Sequence, residues 1–136
     1  MRTEITDDNI NKLPRKDRVR FALFCAKQVI HLAKEPEAHE CIRVTELWLE
    51  GKASAEDCRR AVDATHVYYD TTYADDAAAH AAHAAYYATY YEGATAATQT
   101  ANYAIGADTT IKSKLEQYLY EFIHIDEIVE QILLAI

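Results

Sequence analysis

Apolar side chains recur every three or four positions along most of this chain, the spacing that lines one face of an α-helix. Val19, Leu23, Ala26, Ile30 and Ala33 form such a face and predict a helix over 15–34. Pro14 suits its start, where a missing N–H costs nothing. Residues 1–13 read as a leader with one short turn at 7–12. A second helix opens at Pro36, carries Cys41, Val44, Leu47 and Trp48, and ends near Glu50 with Gly51 as the residue just past its cap. Ser54-Ala55-Glu56-Asp57 is close to a capping box and begins a third helix, to about Asp70. The link Gly51-Lys52-Ala53 is short enough to make helices two and three antiparallel neighbours.

A fourth helix is predicted over 75–92, with Asp75 and Asp76 in its first turn, where acids suit the dipole. Gly93 either ends that helix or interrupts it, and a fifth runs to about Ala107. Asp108 and Thr109 are candidate caps for residues 110–136. There Leu115, Leu119, Phe122, Ile125, Val129, Ile132 and Ile136 keep the helical spacing. This C-terminal amphipathic segment is one long helix or two, with Asp126 a candidate cap between them. Its apolar stripe folds back on its own bundle or packs on a second copy as a homodimer.

Composition strengthens this picture. The chain of 136 residues is the size of one domain, and half of it is hydrophobic, enough for a core without disulfide or metal staples. Glycine and proline are scarce, and alanine, the best helix former, dominates the apolar positions. The expectation is an all-α, single-domain bundle of five to seven helices over 1–136, mostly antiparallel neighbours. No apolar run is long enough to span a bilayer, and Met1-Arg2-Thr3-Glu4 is not a signal peptide, so a cytoplasmic protein is expected. Cys25, Cys41 and Cys58 lack CxxC spacing and read as reduced, partly buried thiols.

Charge narrows the partners. The net charge is −8. Residues 1–34 hold eight Lys/Arg against four acids, a balance of +4, so the remainder carries −12. No Lys or Arg occurs between Arg60 and Lys112, where Asp63, Asp70, Asp75, Asp76, Glu92 and Asp108 stand. Such a chain repels nucleic-acid phosphates and complements a basic protein surface.

Two groups of residues bear on chemistry. Asp76, His80 and His83 share one helical face, and with His66 they form a candidate set of metal ligands. Set against that, histidines at a helix interface ordinarily serve as hydrogen-bonded polar groups, and no cofactor is expected. The ten tyrosines are the other anomaly. Neighbours on a helix point about 100° apart, so pairs such as Tyr68/Tyr69, Tyr86/Tyr87 and Tyr90/Tyr91 cannot all face inward. The alternative is that they rim an alanine core. The expected contact set for a protein partner is Tyr68, Tyr69, Asp70, Tyr73, Asp75, Asp76, Tyr86, Tyr87, Tyr90 and Tyr91, where aromatics and acids concentrate without a base. No phosphate loop, GxSxG or HExxH occurs, and no enzyme is expected.

The run from Cys41 to Lys52 with its Trp48–Gly51 corner, Ala64-Thr65-His66 behind it, and the Ala/His tract 77–91 leading into 94–106 resemble the immunity-five-like family of immunity proteins. The likeness covers about residues 15–110, the family-like core. It implies a small α-helical protein of a bacterium or its mobile elements that neutralises a cognate toxin, and it brings no catalytic residues. The tyrosine density and the segment 115–136 depart from the family pattern, which leaves the partner open. Two other readings stand beside it. One is a phage-encoded inhibitor of a host defence protein, acting through an acidic, nucleic-acid-like surface. The other is a metal-dependent helical enzyme built on Asp76, His80, His83 and His66.

Overall fold

The computed structural model describes residues 1–65 and 71–136. They form eight α-helices and two short 3₁₀ turns, with no strand among the described residues. The helices are α1 (Asp7–Asn11), α2 (Arg15–Lys27), α3 (Pro36–Leu49), α4 (Ala55–Asp63), α5 (Tyr73–Tyr86), α6 (Tyr91–Ala107), α7 (Lys112–Ile123) and α8 (Ile125–Ala135). The all-α bundle is as expected, with the helix count raised by the short α1 and a divided C-terminal segment.

Alanine decides the architecture. Helix α5 packs against α2, α3, α4 and α6 at once, and ten of its fourteen residues are buried. Only small side chains let a helix be enclosed on so many sides, because each neighbour must approach closely. Bulk comes from elsewhere: Phe21, Val19 and Val29 from the α2 region, Ile10 from α1, and Leu115 and Leu119 from α7 are all fully buried. Among the described residues no buried side-chain nitrogen or oxygen lacks a hydrogen-bond partner.

Local signals act where the sequence places them. Gly51 has φ +75°, a left-handed conformation that disfavours a β-carbon. It lets Lys52 N–H donate to Leu47 O at 2.8 Å and Gly51 N–H to Trp48 O at 3.0 Å, closing the end of α3. Ser54 and Asp57 form a complete capping box on α4.

Several expected boundaries are corrected. The short turn expected within residues 1–13 is α1, and the segment is tied to the bundle: α1 packs on α6, Ile10 and Leu13 are buried, and Thr3 N–H donates to Glu116 O. Helix α2 ends at Lys27, and Ile30–Leu32 is a 3₁₀ turn. Helix α4 ends at Asp63, and Ala64 and Thr65 leave it in a turn; the rest of the expected helix, 66–70, lies outside the described residues. Helix α5 starts two residues before Asp75, because Thr72 caps it with Asp75 as the reciprocal member of a second capping box. It ends at Tyr86, and Gly93 falls inside the first turn of α6. A β-carbon on Gly93 would lie 2.6 Å from the Tyr87 carbonyl oxygen, so this glycine permits a close crossing of chain rather than ending a helix. The C-terminal segment is two helices, divided at His124, and Asp126 sits in the first turn of α8 rather than capping it. Among the described residues no helix is long and apolar enough to cross a membrane.

Candidate functional site

The residues of α5 that are not buried are Tyr73, His80, His83 and Tyr86, and Tyr87 follows as its cap. Positions 73, 80, 83 and 87 fall on one face at helical spacing, with the buried Asp76 between the first two. Their rings make a continuous ribbon. Tyr73 lies 6.1 Å from Tyr103 of α6, Tyr103 lies 4.8 Å from His80, His80 lies 5.7 Å from His83, and His83 lies 5.9 Å from Tyr87. Tyr86 meets Tyr87 edge-on at 4.7 Å. Thirteen steps of helix rise separate Tyr73 from Tyr86, so the ribbon spans roughly 20 Å. Tyr73 at the start of α5 touches Tyr103 near the end of α6, which makes the two helices antiparallel.

Gly106, one turn beyond Tyr103, makes room for the first ring: its β-carbon would stand 3.1 Å from Tyr73 Cδ2. Tyr73, Gln99, Asn102, Tyr103 and Gly106 line a shallow groove of about 390 Å³ at this end. At the other end Tyr90 and Tyr91 are exposed, and the Tyr91 hydroxyl donates to Asp8 Oδ1 at 3.1 Å.

Both histidines are biased toward the neutral form. His80 Nδ1 is 2.8 Å from the Asp76 carbonyl oxygen, so this nitrogen carries the proton and donates, leaving Nε2 as an acceptor. Burial pushes His80 below the ordinary histidine value, against the opposing pull of Asp76. Burial lowers His83 too, helped by His80 and opposed by Asp63. Neutral imidazoles between phenol rings make a surface that is polar at its edges and apolar on its faces.

Of the three acids in the expected contact set, the structure describes Asp75 and Asp76. Asp75 and Asp76 are buried, at 3% and 9% exposure, and contribute little to a docking face. The Asp75 carboxylate accepts the backbone N–H groups of Lys34 (3.1 Å), Glu35 (3.0 Å) and Thr72 (3.2 Å), and the Thr72 hydroxyl at 2.6 Å. Those hydrogen bonds hold its pKa below the usual carboxylate value despite the burial that opposes them. Asp76 accepts the Thr71 hydroxyl at 2.7 Å, and burial raises its pKa. A carboxylate in the first turn of an enclosed helix thus serves the backbone instead of solvent. Tyr68, Tyr69 and Asp70 lie outside the described residues, as does His66.

Among the described residues no group of three or more His, Cys, Asp or Glu side chains is placed to hold a metal ion. The Nδ1 of His80 and the carboxylate of Asp76 are both committed to hydrogen bonds within the chain. His80, His83 and Tyr103 are ribbon residues outside the expected contact set, and of these Tyr103 was not a candidate of any kind. Its signal was the pairing with Gly106 three residues on, a small residue that leaves the neighbouring surface open.

Compared with protein-family models, curated proteins and solved structures, the chain matches none of them.

Proposed function

We propose that this protein binds another protein and neutralises it without catalysis, as an immunity-type inhibitor, through the ring ribbon on α5 and α6. The reading is carried by one observation: the half-buried face of the central, otherwise enclosed helix is a continuous row of tyrosine and histidine rings that opens to solvent at Tyr73. Tyrosine offers a large contact area with few rotamers to freeze, which favours it at interfaces. A rigid alanine-packed helix beneath the rings lowers the ordering cost of binding further. The absence of Lys and Arg between Arg60 and Lys112 suits a partner that presents cations to the ring faces. The resemblance to immunity-five-like proteins supplies the expected class of partner, a toxin from the same bacterium or mobile element.

An acidic nucleic-acid mimic has weaker support. Asp17, Glu40, Asp57 and the Glu56/Asp63 pair each meet an arginine three or four residues away on their own helix, which mutes the acidic surface.

The test is binding and rescue with the purified product of the neighbouring open reading frame. Expressed alone that product arrests growth, and co-expression of this chain restores it. A Tyr73→Ala/Tyr103→Ala double variant and a Tyr86→Ala/Tyr87→Ala double variant each weaken binding at least about tenfold, the loss of one or two interface anchors, with helix content by circular dichroism unchanged. Full binding by both folded variants overturns the proposal.

A further inference from the structure

Helix α8 is out of place in an enclosed bundle. It packs chiefly on α7 and buries no side chain fully. Ile132, Leu133 and Ile136 are 56%, 65% and 96% exposed, and Ile125 and Val129 are exposed as well. At 100° per residue, Ile125, Ile128, Val129, Ile132, Leu133 and Ile136 fall on one side of the helix. Asp126, Glu127, Glu130 and Gln131 fall on the other, with Leu134 among them.

We infer that α8 pairs with α8 of a second copy of this chain, antiparallel, about a two-fold axis. The charge pattern selects this orientation. All three acids lie in 126–130, and 131–136 carry no charged side chain. Antiparallel pairing sets the acidic half of each helix against the uncharged half of the other and opposes the two helix dipoles. Parallel pairing would gather the acids of both helices at one end of the pair. A basic partner finds little here: Asp126 alone borders the apolar stripe, while Glu127 and Glu130 sit on the far side. A membrane surface is disfavoured too, since lipid-binding amphipathic helices carry basic polar faces toward anionic headgroups.

Area points the same way. The stripe presents five exposed large apolar side chains on one continuous face, the kind of patch that marks a protein contact. Burying roughly 500 Å² on each copy would bring the pair to about 1,000 Å², the lower bound of a specific interface. A groove of about 360 Å³ extends the stripe at the α7–α8 corner, lined by Tyr118, Phe122 and Ile125 with Asp17 and Glu121 at its rim. In the antiparallel register the second copy's Ile136 reaches this corner, opposite Ile125.

Sedimentation and light scattering of the full chain over the micromolar range test the pairing. The expected mass rises with concentration from 15.4 kDa to about 31 kDa, twice that value. Ile132→Asp and Leu133→Glu should each hold the chain at the lower mass. Neither removes a buried side chain, so helix content and melting temperature serve as controls for folding. Orientation is read by disulfide trapping: mixed Ile125→Cys and Ile136→Cys chains form the mixed disulfide, and Ile125→Cys does not form one with itself. A monomer throughout the range, a dimer that survives both charged variants, or an Ile125→Cys self-disulfide would each overturn the inference.

Discussion

The backbone N–H of Glu35 donates to the Asp75 carboxylate at 3.0 Å, joining residues forty positions apart in the chain. One side chain therefore caps α5 and fastens the connection before α3 to it. Asp75→Ala would leave the N–H groups of Lys34, Glu35 and Thr72 without that acceptor. The expected cost is about 3 kcal/mol, from charged hydrogen bonds lost around a buried carboxylate. Asp75→Asn keeps one acceptor oxygen and should cost less. Urea unfolding of the three proteins measures both; equal stability of wild type and D75A would refute the role.

Gly93 and Gly106 both lie in α6, yet their substitution by alanine should act in opposite senses. At Gly93 the new methyl meets backbone, the Tyr87 carbonyl at 2.6 Å, and nothing flexible can yield. Overpacking of this kind costs about 1–3 kcal/mol. At Gly106 it meets the ring of Tyr73, a side chain rather than backbone and 57% exposed, so a shift of a few tenths of an ångström relieves the contact. There the gain in helix propensity, up to about 1 kcal/mol, offsets the contact, and G106A should be neutral or mildly stabilising. Thermal melts of the two variants compare them directly.

These residues also mark what was legible beforehand. The Ser54–Asp57 capping box and the Gly51 helix end are local, so spacing alone located them. The Asp75–Glu35 bond is tertiary, and Asp75 read instead as a dipole-matched surface acid. Gly93 read as a possible break because the close approach that requires it comes from packing. The ring face of α5 had a visible period, since Tyr73, His80, His83 and Tyr87 share a helical side. Which side faced outward was hidden, because alanines around the rest of the helix give no polar arc to mark solvent. The uncovered stripe of α8 was visible as a pattern, but exposure depends on what the bundle already encloses.

The three cysteines should be silent in the native protein. Cys25, Cys41 and Cys58 are fully buried, with 0% exposure, and burial pushes the Cys41 thiol up to about 12 and Cys58 to about 11. The thiolate is the reactive species, so both access and ionisation oppose modification. A thiol reagent at neutral pH should label none of them quickly and all three after denaturation. Rapid native labelling of any one would show that its helix opens locally.

The ring ribbon should make stability depend on pH in a defined direction. His80 and His83 have folded pKa values below the ordinary 6.5 because burial disfavours the imidazolium. As pH falls through 6.5 the unfolded chain takes up protons that the native state refuses, and stability is lost until the folded values are passed. Above 6.5 both states are neutral at these sites, and the contribution is flat. The facing groups modify the slope. Asp63 and Asp76 favour the charged rings, and the raised pKa of Asp76 returns some stability as that carboxylate protonates at lower pH. Below 3.8 the lowered pKa of Asp75 again works against the fold. Urea midpoints at about pH 7.5 and about pH 5 should therefore differ, with the acidic value lower. A His80→Gln/His83→Gln variant, which cannot charge, should lose most of that difference while keeping its unfolding free energy at the higher pH within about 1–2 kcal/mol of wild type. An unchanged pH slope in the double variant would assign the acid sensitivity to other groups and leave the two rings exposed enough to protonate freely.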